Sequence, residues 1–120
     1  MGFILITGAS TGIGAEFARQ YAAKKKSLIL VARSKDKLGA LAKELQHTFD
    51  VEVKVFAQDL SQPEAAEQVF EFCKSQHAQV ELLINNAGVG LAGKFQHQQL
   101  AEIESMIRLN VMATVKLTHL

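Results

Sequence analysis

Thr7-Gly8-Ala9-Ser10-Thr11-Gly12-Ile13-Gly14 is the stretch whose reading decides the fold. Phe3 to Thr7 leads into it as an apolar strand, and Ile13 to Lys24 leaves it with helical period. Three glycines therefore stand on a strand-to-helix turn. Gly8 can take the backbone conformation of a sharp turn. Gly12 leaves room for a ligand beside the backbone, and Gly14 lets the helix pack close to the strand. The N–H groups of the helix's first turn then face outward, with the positive end of the dipole behind them, an arrangement that binds phosphate. The spacing is G-x-x-x-G-x-G and not the general G-x-G-x-x-G. Glycine-rich turns also serve packing alone.

Working outward, three segments are largely apolar on both faces: Phe3 to Thr7, Leu28 to Ala32, and Val80 to Ile84. Such strands belong in the middle of a parallel sheet covered by helices. Val51 to Ala57 differs, because Val51, Val53 and Val55 alternate with Glu52 and Lys54, as on a partly exposed edge. The expected order is 3-2-1-4. Helices fall between the strands. Ile13, Phe17 and Tyr21 share a face of the first. Leu38, Leu41, Ala42, Leu45 and Phe49 form the stripe of the second, which Gly39 weakens by roughly 1 kcal/mol relative to alanine. Ser61 and Glu64 have capping-box spacing at the start of the third, with Pro63 in its first turn and Ala66, Val69, Phe70 and Cys73 as its stripe. A fourth is expected from Gln98 or Leu100 onward. The alternation βαβαβαβα predicts an α/β, doubly wound parallel sheet of Rossmann type with right-handed crossovers.

The 120 residues allow one domain at most. The chain is 48% hydrophobic and 21% charged, with net charge +1, so no charge excess points to nucleic acid or an anionic membrane. Lys24, Lys25 and Lys26 read as complementing a helix C-terminus. The lone Cys73 excludes an internal disulfide and fits a reducing compartment, so a cytoplasmic location is expected. The N-terminal apolar run is short, lacks a basic start and ends in the glycine turn, unlike a signal peptide. No segment approaches the ~20 apolar residues of a membrane helix. His47, His77, His97 and His119 are spread singly, so no metal site is expected. Met106 and Met112 read as core or interface residues. The sequence stops at Leu120 inside an apolar helical stretch without a Gly or Pro stop signal, and reads as the N-terminal half of something longer.

Four features carry chemistry. Arg33 ends the second strand, about 20 residues after the glycine turn, where an acid would bond the ribose of NAD and an arginine would accommodate the phosphate of NADP. No Asp or Glu lies between Ser27 and Lys35. The alternative is a solvated surface arginine. Asp59 follows the third strand, where its carboxylate can accept from an adenine amino group or simply favour a helix N-terminus. Asn85-Asn86-Ala87-Gly88 ends the fourth strand, at the switch point where ligands bind in open α/β sheets. Two amides there can tie loops together and two small residues leave space, or the four can form a plain turn. Asn110 interrupts the apolar face of Ile103, Ile107, Thr114 and Leu117, and needs hydrogen-bond partners whether its role is structural or functional.

Together these features resemble the N-terminal half of a short-chain dehydrogenase/reductase, over essentially the whole chain. Thr7 to Gly14 matches the family's T-G-x-x-x-G-x-G, and Asn85-Asn86-Ala87-Gly88 its N-N-A-G. Asn110 matches the asparagine of its catalytic tetrad. The resemblance implies a nicotinamide cofactor, NADP(H) rather than NAD(H) given Arg33, and hydride exchange between an alcohol and a ketone. It implies that Gly8, Ser10, Thr11, Gly12, Ile13 and Gly14 surround the phosphates. It implies that Asp59, Leu60 and Val111 border the adenosine, and that Asn86, Ala87 and Gly88 lie along the ribose. Asn110 is the implied catalytic residue. A small alcohol or ketone is the implied substrate of the complete protein, and a homo-oligomer is expected. The family's catalytic serine and Tyr-x-x-x-Lys lie downstream of the asparagine. Tyr21 and Lys25 have the same spacing but precede the second strand, so they are a decoy.

Overall fold

The computed structural model describes residues 2–86 together with Leu100, Ala101, Glu104 and Thr118. Four strands, β1 (Phe3–Thr7), β2 (Ser27–Ala32), β3 (Val53–Ala57) and β4 (Val80–Ile84), pair in parallel in the order β3-β2-β1-β4. The helices α1 (Gly12–Ala23), α2 (Lys35–Phe49) and α3 (Ala65–Ser75) connect them. This is the Rossmann-type alternation and strand order expected from the apolar pattern. The two central strands, β1 and β2, are buried almost throughout, while β3 is only half-buried at one edge. Exposed Glu81 and Leu82 break the burial of β4, and its register against β1 shifts next to Glu81.

Alternate side chains of each strand feed two cores. Ile4, Ile6, Leu28 and Leu30 meet α1 and α2 on one face. Leu5, Ile29 and Val31 meet α3 on the other, where Phe56 and Phe72 stack with centroids 4.7 Å apart. The stripe of α2 is the expected one, with Leu38, Leu41, Ala42 and Leu45 buried and Phe49 partly so. An added Cβ at Gly39 would meet nothing within 4 Å. Gly39→Ala is therefore expected to stabilise the fold by about 0.5–1 kcal/mol, measured as a higher urea midpoint at unchanged slope.

Three local expectations are corrected. First, α1 does not bury Ile13, Phe17 and Tyr21. It buries Gly14, Ala15, Ala18 and Ala22, leaving Ile13 70% and Phe17 38% exposed, with Tyr21 only partly buried. The small residues allow the helix backbone to approach the sheet, and a face carrying large side chains would hold it off. Second, Phe70 is 38% exposed on α3, and Ala65 joins Ala66, Val69 and Cys73 on the buried side. Third, Ser61 and Glu64 form no capping box. The helix begins at Ala65, after Pro63, with Glu64 as an N-cap that makes no side-chain bond. Ser61 is drawn instead to the carboxylate of Asp59, a stronger acceptor.

The helices end on left-handed residues that are not glycine: Lys25 (φ 64), Asp50 (φ 55) and His77 (φ 53). After α1, Lys25 and Lys26 donate their backbone N–H groups to Ala22 and Tyr21, closing a Schellman turn. The Lys25 ammonium reaches the Phe49 carbonyl at the C-terminus of α2, and Lys26 lies 4.0 Å from Glu81. The lysine run thus complements a helix C-terminus, as expected, but that of the neighbouring helix. No helix among the described residues is long and apolar enough to cross a membrane. The expected fourth helix lies outside the described residues apart from the four noted above, and so do Met106, Met112, His97 and His119.

Candidate functional site

In a parallel sheet every strand ends on the same edge, so the loops after β1, β2, β3 and β4 are neighbours. Hydrogen bonds tie them. Ala9 N–H donates to Val31 O at 3.2 Å, and Gln58 N–H to Ala32 O at 2.9 Å. Asn86 N–H donates to the Thr7 hydroxyl at 3.0 Å. The glycine turn, Arg33, Asp59 and Asn86 are therefore brought to one edge.

The turn after β1 has the backbone its glycines foretold. Gly8 and Gly12 both sit in the left-handed region, at φ 63 and 59. Gly14 packs so closely that an added Cβ would stand 2.2 Å from the Gly8 carbonyl oxygen and 2.6 Å from Asn86 Nδ2. At Gly12 an added Cβ would meet nothing within 4 Å. The first turn of α1 is open: Thr11, Gly12 and Ile13 are exposed and Ser10 is half-buried. Thr11 is the N-cap but makes no side-chain cap, and the first turn holds no acidic residue. Outward N–H groups with no carboxylate to neutralise them can cradle an anion.

Asn86 holds the opposite wall. Its Nδ2 donates to the Gly8 carbonyl at 3.2 Å, while its N–H is received by Thr7, whose own hydroxyl donates to Ile84 O at 3.4 Å. Asn85 donates to the Thr118 hydroxyl at 3.0 Å. Asn86 ties a loop backbone, as the adjacency of the two amides suggested, while Asn85 bonds a side-chain hydroxyl instead. The part of Thr7, 1% exposed in the structure, has one signal in the sequence: a hydroxyl at the end of an apolar strand.

Arg33 is exposed just past β2, and its charge acts on Asp59. Asp59 closes a turn after β3. Its Oδ1 accepts from the Ser61 hydroxyl at 2.7 Å and the Ser61 N–H at 2.9 Å, and its Oδ2 from Gln62 Nε2 at 3.4 Å. Partial burial opposes ionisation, but the Ser61 and Gln62 hydrogen bonds and the Arg33 charge outweigh it and hold the carboxyl below its ordinary pKa. A carboxylate with a lowered folded pKa adds stability that is complete above the ordinary value near ~4 and is lost as pH falls through the folded value. Asp59→Asn is expected to flatten the dependence of Tm on pH below about 5, and an unaltered acid limb in thermal melts would contradict this. Leu60 is 4% exposed, with its side chain in the α3-side core, so only its backbone reaches this edge.

Tyr21 lies elsewhere. It sits nine residues along α1 from Gly12, about 13 Å along the axis, near the amino ends of the strands. There it packs against the core, with the Lys24 ammonium 5.7 Å from its ring centroid. Among the described residues, no three His, Cys, Asp or Glu side chains gather as metal ligands. Ala87, Gly88, Asn110 and Val111 lie outside the described residues.

Comparison with known proteins agrees with this architecture. The chain is 39% identical over 119 residues to a very-long-chain 3-oxoacyl-CoA reductase of Podospora anserina, covering 95% of this chain and 34% of that protein. It is 36% identical over 115 residues to a 7beta-hydroxysteroid dehydrogenase of Collinsella aerofaciens, covering 96% of this chain and 43% of that protein. A solved short-chain dehydrogenase from Sphingobium yanoikuyae in complex with NADPH superposes with a TM-score of 0.91 at 39% identity, over 99% of this chain and 46% of that one. The chain thus spans about a third to a half of the length of these relatives. The family model for short chain dehydrogenases matches residues 2–120, and the chain belongs to that family of oxidoreductases.

Proposed function

We propose that this chain binds NADP(H) and serves an oxidoreductase that exchanges hydride between an alcohol and a ketone. The carrying observation is the open first turn of α1 beside Arg33, with the Ala9 to Val31 hydrogen bond joining the two loops. The cradle fits a pyrophosphate because Gly12 adds no side chain where the anion would approach and no acidic group competes for the N–H groups. Ser10, Thr11 and Ile13 would line it, and Gly8 and Gly14 would shape it. Arg33 would hold the 2′-phosphate, a charge-assisted contact that NADH lacks. Asp59 and the Leu60 backbone, with Val111, would border the adenosine, and Asn86, Ala87 and Gly88 the ribose.

When bound, the nicotinamide supplies the hydride. This chain's part is to fix the dinucleotide along the strand ends and to keep the nicotinamide half near β4. Asn110 is proposed as a member of the catalytic set. Tyr21 is the only tyrosine of the sequence, and its distance from the strand ends excludes it as the proton donor. The resemblance of the NADPH-bound Sphingobium structure supports the cofactor assignment. Titration of the protein with NADPH and NADH by calorimetry tests it. Tighter binding of NADPH, by roughly 10-fold or more, is expected, and equal affinity for the two overturns the assignment.

A further inference from the structure

Adjacent side chains of a strand point to opposite faces, and the two amides that follow β4 continue that alternation. Asn86 turns to the α1 side, where its Nδ2 donates to the Gly8 carbonyl at 3.2 Å. Asn85 turns the other way, and its Nδ2 donates to the Thr118 hydroxyl at 3.0 Å, 33 residues along the chain. Thr118 borders the cavity between α3 and β4 together with Val69 and Leu83, on the opposite face of the sheet from α1. One strand end is thus gripped from both faces. Its outer side offers no further hold. Among the described residues no strand pairs with the outer side of β4, and its residues Glu81 and Leu82 are exposed.

We propose that Asn85 is a positioning residue: by holding Thr118 it keeps Asn86 on Gly8, so that dinucleotide affinity depends on a hydroxyl outside the dinucleotide site. The inference rests on the dinucleotide reading above and adds a remote determinant to it. Gly8 opens the glycine turn, and its carbonyl lies where α1 approaches most closely, beside Gly14. Asn86 fixes that carbonyl only while the end of β4 stays in place. With Asn85 anchored, the strand end is ordered before the ligand arrives. Without the anchor it frays part of the time, Asn86 leaves Gly8, and the cradle is complete in only a fraction of the molecules. Apparent affinity falls by that fraction, although no contact to the ligand is removed. The Asn85 amide and the Thr118 hydroxyl act through one hydrogen bond, so removing either has the same effect and removing both adds nothing.

The test is calorimetric titration with NADPH of the unmutated protein, Asn85→Ala, Thr118→Val, the double variant and Thr118→Ser. Thr118→Val removes the hydroxyl but keeps the shape of the side chain. Asn85→Ala and Thr118→Val are each expected to weaken binding by about 2- to 10-fold, the range of one neutral hydrogen bond. The double variant is expected to bind no more weakly than either single one. Thr118→Ser, which keeps the hydroxyl, is expected to bind like the unmutated protein. Unchanged affinity in Thr118→Val overturns the inference while leaving the dinucleotide reading intact. Losses that multiply in the double variant overturn it as well, since the two groups then act separately. A loss in Thr118→Ser equal to that in Thr118→Val overturns it too, because that marks packing and not the hydrogen bond. Failure of NADPH to bind the unmutated protein at all overturns the dinucleotide reading and this inference with it.

Discussion

Gly14→Ala is expected to destabilise the protein by about 1–3 kcal/mol, lowering Tm by roughly 4–12 °C, and to weaken NADPH binding. The added methyl would stand 2.2 Å from the Gly8 carbonyl oxygen, 2.9 Å from its carbon and 2.6 Å from Asn86 Nδ2. Two of these are backbone atoms, so no side-chain rotation relieves the overlap. Either α1 lifts from β1 or the Asn86 bond to Gly8 breaks. Lifting would open the face of Ala15, Ala18 and Ala22, which fits the sheet only at close range. Gly12→Ala is the matched control. Its Cβ has open space, so the strain is confined to a left-handed φ of 59, about 1–2 kcal/mol. The Gly12 methyl would sit where the anion approaches, so it should harm binding more than its stability cost alone accounts for. Thermal melts and NADPH titrations of both variants separate packing from ligand approach. An unchanged Tm for Gly14→Ala would contradict the close contact.

Arg33→Ala is expected to lower NADPH affinity by about 10- to 150-fold, the range of a hydrogen bond to a charged partner, and to leave NADH affinity within a few-fold of the original. The exposure of Arg33 places the effect toward the lower end, because solvent screens it. Removing the guanidinium also takes away a charge that favours ionised Asp59. That secondary effect acts on the adenosine half shared by both dinucleotides, so it cancels in their ratio. The ratio of dissociation constants is the measurement. If it survives the substitution unchanged, another group reads the 2′-phosphate, and the assignment of Arg33 is wrong.

The glycine turn and the strand order were legible because each rests on local chemistry. Only glycine takes φ near 60 without penalty at Gly8 and Gly12, and β1 and β2, apolar on both faces, lie inside the parallel sheet, whereas β4 carries exposed Glu81 and Leu82. The alternation of Val53 and Val55 with Lys54 marked β3 as an edge for the same reason. The stripe of α2 was legible because its large apolar residues are also its buried ones.

Hydrophobic period points to the wrong face of α1, whose largest side chains are not its buried ones. How near a helix lies to its sheet is a tertiary quantity, and at close range small residues win the interior. The ends of the helices were equally hidden, since Lys25, Asp50 and His77 carry no glycine signal for their left-handed turns. Those turns are held by backbone bonds that exist only once the helix stops there.

The sequence by itself determined the parallel α/β architecture, its order and the glycine turn, because these depend on backbone sterics and on apolar period within single segments. Only the tertiary structure decided that Asn86 grips Gly8 beside Gly14, that Lys25 reaches the end of α2, and that Ser61 serves Asp59 instead of a capping box. Each of these is a choice among competing hydrogen-bond partners. A polar group takes the partner the fold brings nearest, and for Asn86 that partner is 78 residues away in sequence.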